Sequence, residues 1–196
     1  MPRPKTHDDA LRGRLLDRAG ELLSEQGPRA LSLRKLATDV NTSTTAVYSL
    51  FGGKAQLVRE LYVDAFRRFG RQLGAVARSG DAPADLVQLG LAYREQALAN
   101  QNQYAIMFGK PVPEFEPDEQ ANQEAAAAIT PLLDIVREGT RTGALAGPSP
   151  EAIALAYWAL LHGLVALELS NVVPAQLNSK DSFEHALRAQ LAGWRA

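Results

Sequence analysis

Apolar residues recur at three- and four-residue intervals along the chain, and the pattern reads as helix throughout. Leu11, Leu15, Ala19, Leu22 and Leu23 set a first helix over about 8–26. Asp8 and Asp9 suit its positive end, and Gly27-Pro28 stops it. A second helix covers 32–39: Ser32 caps it, and Leu31 with Leu36 has the spacing of a hydrophobic staple. A third, over 43–51, starts at a Ser43 cap and turns Val47 and Phe51 inward with Leu36, Ala37 and Val40. Asn41 occupies the turn between the two, where a left-handed backbone is often needed and Asn tolerates it. A fourth helix runs from Lys54 to about Ala77, with Leu57, Leu61, Ala65 and Phe69 on one stripe and Val58, Tyr62 and Phe66 beside it. Ser79-Gly80-Asp81-Ala82-Pro83 then breaks the chain.

Five more helices are predicted beyond the break, for about nine in all. One spans roughly 83–99, and Asn100-Gln101-Asn102-Gln103 interrupts it. A short one holds Tyr104 to Phe108, followed by a loop or lid over 110–117 with three prolines and Phe115. A long helix over about 118–142 carries Pro131 inside it, which should kink it. Its Ala125–Ala128 run is thin enough for a neighbour or ligand to come close. Ser149-Pro150-Glu151 is a strong start for the next helix, which is apolar almost all round as far as Leu169. His162 and Glu168 inside it, with no basic anchors, argue against a membrane span and for burial on all sides: one side on the core, the other on a second subunit. The last helix, about 181–194, opens on Asp181 and Glu184 as a capping-box-like pair and carries Phe183, Leu187, Leu191 and Trp194.

The chain of 196 residues is long enough for a sizeable core, and the absence of cysteine excludes disulfides and thiolate metal sites. The N-terminus lacks the apolar core of a signal peptide, so a cytoplasmic location is expected. Net charge is only −1, but its distribution changes the picture. Residues 1–80 hold 14 basic and 8 acidic residues, whereas residues 81–196 hold 7 and 14. A basic front and an acidic back point to a polyanionic partner for the front alone. Arg3 and Lys5 could extend this as an N-terminal arm, although a short terminus is more often simply disordered.

The front chemistry is that of a helix-turn-helix entering a DNA major groove. Arg34 and Lys35 sit in the first turn of the second helix, where cations oppose the helix dipole and an external phosphate would relieve the conflict. Thr44, Thr45, Tyr48 and Ser49 stay outside the third helix, and hydroxyls and threonine methyls suit phosphates and base edges. The run Leu36-Ala37, Ser43, Val47-Tyr48, Phe51, Lys54 and Leu57 resembles the DNA-binding domain of TetR-family transcriptional regulators over about residues 8–60. The resemblance implies DNA contacts by Ser32, Ser43, Thr44, Thr45, Tyr48 and Lys54. Two departures stand out: Val40-Asn41-Thr42 replaces the family's Ala-Gly-Val turn, and Gly52-Gly53 replaces a Pro/Ser-type link. Trp158 with His162-Gly163 resembles the Trp-His-Gly signature of a TetR-type ligand-binding and dimerisation domain.

The expected architecture is therefore all-α: a helix-turn-helix domain over 1–53, a linking helix over 54–78, and a ligand-binding and dimerisation domain over 79–196. Phe66, Tyr93, Tyr104, Met107, Phe108, Trp158 and His162 are candidates for a small-molecule pocket, though the same spacing serves a plain core. Tyr157, Leu160, Leu164, Leu167, Phe183, Leu187 and Leu191 are candidates for the face between two copies in a four-helix interface. His7, His162 and His185 lack metal-ligand spacing, and no metal or cofactor is expected. The expected function is a homodimeric regulator, most simply a repressor released from a palindromic DNA operator by an unidentified small molecule. The alternatives are an all-helical enzyme using His162 and Glu168, or a small-molecule-binding adaptor.

Overall fold

The computed structural model describes residues 5–110, 112–174, 177 and 179–195, with side chains from Asp8 onward. Among them every regular element is a helix: α1 Lys5–Gln26, α2 Leu33–Asp39, α3 Thr44–Phe51, α4 Lys54–Gly74, α5 Ala82–Ala99, α6 Gln101–Phe108, α7 Glu119–Ala127, α8 Thr130–Thr142, α9 Pro150–Leu169 and α10 Lys180–Ala192. The residues group into two compact units, one of 1–67 with 102–125, the other of 68–101 with 126–196. Residues 102–125, expected in the C-terminal domain, thus join the N-terminal helices.

Helix ends follow local chemistry. Ser32, Ser43, Asp81, Ser149 and Ser179 each accept a bond from a backbone N–H in the first turn of the helix they precede. Ser179 therefore caps α10, and Asp181 instead lies in its first turn while Glu184 pairs with Arg188. The expected capping pair is displaced because a serine two residues upstream already satisfies the open N–H. The expected kinked helix is two helices. Pro131 stands in the first turn of α8, where its missing N–H costs nothing, and the chain restarts there rather than bending. Asn100 ends α5, but the amides after it continue as the first turn of α6, because Gln and Asn lack proline's steric block. On the N-terminal side α1 begins at Lys5, so Lys5 is helical; Arg3 lies outside the described residues.

In the first unit Leu15, Leu22, Leu31, Leu36, Val47, Phe51 and Leu57 are sealed from solvent, and α2 packs on both α1 and α3. Arg12 pairs with Glu60 and lays its guanidinium 5.4 Å from the centre of the Phe51 ring, so one α1 side chain ties down both α3 and α4. Arg18 of α1 bonds Asp39 at the end of α2 at 2.8 Å.

The second unit packs α5 against α8, α9 and α10. Gly90 permits this: a Cβ there would lie 2.5 Å from Leu187 Cδ1 and 2.9 Å from the Tyr157 hydroxyl. That hydroxyl donates to the Leu86 carbonyl at 2.7 Å. The thin segment foreseen at Ala125–Ala128 is used by α4, since a Cβ on Gly70 would stand 2.9 Å from Ala128 Cα. Tyr157, Leu187, Leu191 and Phe183 are 0–5% exposed, which corrects their assignment to a face between copies. They bury within their own chain.

The turn before α5 is held by Asp85, whose carboxylate accepts from the N–H and hydroxyl of Ser79, both at 2.7 Å, and from the Gly80 N–H at 3.1 Å. Burial alone would raise its pKa, but the bonds from Ser79 and Gly80 prevail and hold it below the ordinary carboxylate value. A carboxyl whose pKa is depressed on folding stabilises the fold above its unfolded pKa, and that contribution is lost as pH falls through the folded value. Asp85→Ala should cost about 1–3 kcal/mol in urea melts at neutral pH, with the gap from wild type closing as pH falls below about 4. A gap independent of pH would show that packing, not charge, is what Asp85 supplies.

Candidate nucleic-acid interface and ligand cavity

α3 is two-sided. Val47 and Phe51 are buried, while Thr45, Tyr48 and Ser49 are exposed, Tyr48 by 53%. Thr44 is half-buried at the helix start. The turn that presents this face is a Schellman closure of α2. Thr42 N–H donates to the Ala37 carbonyl at 2.8 Å, and Asn41 N–H donates to Thr38 at 3.1 Å. Asn41 has φ +56°, so it adopts the left-handed conformation of the family's glycine at this site. Gly52, φ +69°, makes the corresponding reversal after α3.

The capping serines keep a function in reserve. Ser32 Oγ accepts from Lys35 N–H and Ser43 Oγ from Ala46 N–H, both at 3.1 Å. Accepting leaves each hydroxyl proton free to donate outward. Arg34 is exposed and has no ion pair among the described residues. Lys35 approaches Asp39 at 3.4 Å, and Asp39 is held below the usual carboxylate range first by its bond from Arg18 and then by Lys35. Lys54 donates to the Pro28 carbonyl at 2.9 Å, using one of three ammonium protons. Arg12, Arg18, Arg59 and Arg67 all carry acidic partners, but Glu60 and Asp39 already stand among the acids of residues 1–80, and only Asp118 and Glu124, on Arg59 and Arg67, come from beyond them. Two cations of the basic front are thus answered by acids of the later segment, which charge counted segment by segment does not show because pairing depends on contacts between residues far apart in the chain.

The same unit holds a partly open apolar cavity of about 200 Å³. Its walls are Leu23 of α1, Val58, Leu61 and Tyr62 of α4, and Ile106, Met107 and Phe108 of α6. Lys110, Val112, Phe115 and Pro117, from the segment foreseen as a lid, complete the lining. Of the residues expected to line a pocket, Met107 and Phe108 do so. Phe66 and Tyr104 stand behind Phe108, with ring centres 5.6 and 4.8 Å from its own. Tyr93 lies in the other unit, edge-on to Phe69 at 4.9 Å. Trp158 and His162 are likewise in the other unit, half-buried on α9, and do not line this cavity. Burial pushes the His162 imidazole below its usual pKa. Leu23 and Val58 were missed because α1 read as part of the helix-turn-helix domain and α4 as a linking helix, with no local sign that α6 would join them.

α9 has the length and apolarity of a membrane span, but only 28% of its most apolar stretch is buried within the chain. Its Glu168 is bonded bidentately by Arg94 of α5 at 2.8 and 2.5 Å. Leu155 and Leu167 are 62% and 48% exposed, Leu160 and Leu164 are half-buried, and a Cβ on Gly163 would meet open space.

Residues 15–61 match the family described as bacterial regulatory proteins, tetR family, and residues 86–190 match the tetracyclin repressor-like, C-terminal domain. The HTH-type transcriptional regulator Rv1816 of Mycobacterium tuberculosis is 23% identical over 139 residues, 69% of this chain and 59% of the relative. The HTH-type transcriptional repressor Rv3405c of the same organism is 30% identical over 123 residues, 63% of this chain and 57% of the relative. The matches thus span less than two thirds of those relatives. A protein of unknown function from Rhodococcus sp. RHA1 superposes with a TM-score of 0.79 at 26% identity, covering 95% of this chain and 96% of that one. A TetR family transcription regulator from Marinobacter aquaeolei VT8 gives 0.77 at 17% identity over 98% and 99%, a likeness of fold alone.

Proposed function

The chain belongs to the TetR family and is a DNA-binding transcriptional regulator, and from that premise we propose that it acts in the cytoplasm as a homodimeric repressor released from a palindromic operator by a small-molecule effector. The enzyme reading is set aside, since the family and its named relatives are transcriptional regulators.

The observation that carries the DNA reading is the exposed hydroxyl and aromatic face of α3, backed by the buried Val47 and Phe51. In a paired molecule two such helices would enter successive major grooves. Thr44, Thr45 and Tyr48 would meet base edges and phosphates, and Ser32, Ser43, Arg34, Lys35 and Lys54 would hold the backbone. The open side of α9, around Leu155, Leu160, Leu164 and Leu167, would be covered by its copy in a second chain. An effector can release DNA only by binding the non-competent arrangement more tightly.

Fluorescence anisotropy on a duplex selected from a random pool tests the interface. Tyr48→Ala should weaken binding by about 10- to 100-fold, as expected for loss of a groove contact worth about 1–3 kcal/mol. Because a phenol carries no charge, its salt slope should stay at the wild-type value. Lys54→Ala should instead lower that slope by about one per protomer. Wild-type affinity in both variants would exclude this face as the DNA contact.

A further inference from the structure

We infer that the cavity lined by α1, α4, α6 and the 110–117 strap is the effector site, and that it takes a small carboxylic acid with an apolar body of about eight carbons. The inference rests on the effector-controlled reading above and deepens it. A concave, mostly apolar cavity of about 200 Å³ that opens to solvent at one polar edge has the character of a small-molecule site. Its lining is almost wholly aliphatic and aromatic, which disfavours ordered water and favours an apolar guest. An engineered cavity of about 150 Å³ holds benzene, so this one suits a body modestly larger.

The carboxylate follows from the polar groups at the edge. Among the described lining residues only Tyr62 and Lys110 have polar side-chain ends. Lys110 is exposed at a φ of +47°, and no acid pairs with it among the described residues. Glu114 and Glu116 of the same strap are exposed and do not line the cavity. Tyr62 is half-buried, with its ring centre 5.5 Å from that of Phe115, and burial raises its pKa so that the phenol remains a neutral donor. An ammonium and a phenol O–H are two donors suited to one carboxylate.

The strap is fastened at both ends. Gly109 N–H donates to the Ala105 carbonyl at 2.7 Å, and Arg59 bonds Asp118 at 2.6 and 3.1 Å. Between those points the Phe115 N–H donates to the Val112 carbonyl at 3.0 Å, so both side chains are held against the cavity. The guest would press on α1, and α1 packs on α2 of the DNA-reading pair. Occupancy is thus felt by the helices that hold α3.

Calorimetry on the full chain with octanoate and octanamide tests this, with operator anisotropy measured on the same samples. Octanoate should bind once per chain, at least about tenfold more tightly than octanamide, and should weaken operator binding by about tenfold or more. Lys110→Gln should remove the preference for octanoate, and Met107→Trp should abolish binding of both by filling the space. Val112→Trp, carried on the strap outside any helix, fills the same space if Met107→Trp does not fold. No octanoate binding by wild type, or binding untouched by the filling variants, overturns the site. Equal affinity for octanamide overturns the carboxylate. Unliganded protein that binds no operator defeats the regulator reading separately, because octanoate binding is measured without DNA.

Discussion

Arg94→Met should lower the stability of the protein by about 2–3 kcal/mol, between the cost of breaking an exposed ion pair and that of stranding one member of a buried one. Arg94 and Glu168 are 13% and 12% exposed and meet through two bonds. The guanidinium also lies 5.8 Å from the centre of the Phe183 ring, so the pair joins α5, α9 and α10 at one point. Removing the cation strands a carboxylate where water scarcely reaches it. The double variant Arg94→Met with Glu168→Met should recover most of the loss, because two apolar side chains bury without desolvating a charge. Urea unfolding of wild type, both single variants and the double variant closes the cycle. A single-variant loss below about 1 kcal/mol would mean that the pair is solvated as a surface bridge is. The same contact gives Glu168 a structural task and accounts for its place within an apolar helix.

Leu167→Glu, alone or with Leu155→Glu, should convert a dimer into folded monomers and reduce operator affinity by about 10²–10⁴-fold. The factor is the effective concentration lost when two half-sites are no longer bound by one molecule. Both leucines are exposed in the protomer, so a carboxylate there harms no internal packing, whereas in the proposed interface it would be buried without a partner. Analytical ultracentrifugation at micromolar concentration, beside thermal melts that remain near wild type, separates loss of pairing from loss of fold. Leu187→Glu is the contrasting control: that side chain is fully buried within its own chain, and its variant should unfold. A wild-type protein that sediments as a monomer would reject the paired arrangement.

Most helix boundaries were legible because their causes are local. A serine three residues before a free N–H, or a proline that cannot donate, acts within one turn of chain. Asn41 was readable for the same reason, since its left-handed backbone depends on its own side chain and the turn around it. The replacement of a glycine there changed the residue and kept the conformation. Pro131 marks the limit: the sequence predicted a disturbance but not its form, and the chain restarts there, with Ala128 just before the break packed close on Gly70 of α4.

Which face of an apolar helix meets its own core is a different kind of question. Periodicity marks Tyr157, Leu160, Leu164 and Leu187 as equally apolar, and only packing separates those sealed by α5 from those left open. The cavity shows it again. Met107 and Phe108 were identifiable as large apolar groups beside a proline-rich strap, but Leu23 and Val58 become its walls only when residues 102–125 fold onto α1 and α4. Local backbone chemistry and apolar period are written residue by residue, so the sequence determined an all-helical chain with a DNA-reading turn. The sharing of apolar surface among core, cavity and partner is a competition between segments far apart in the chain, and tertiary structure alone decided it.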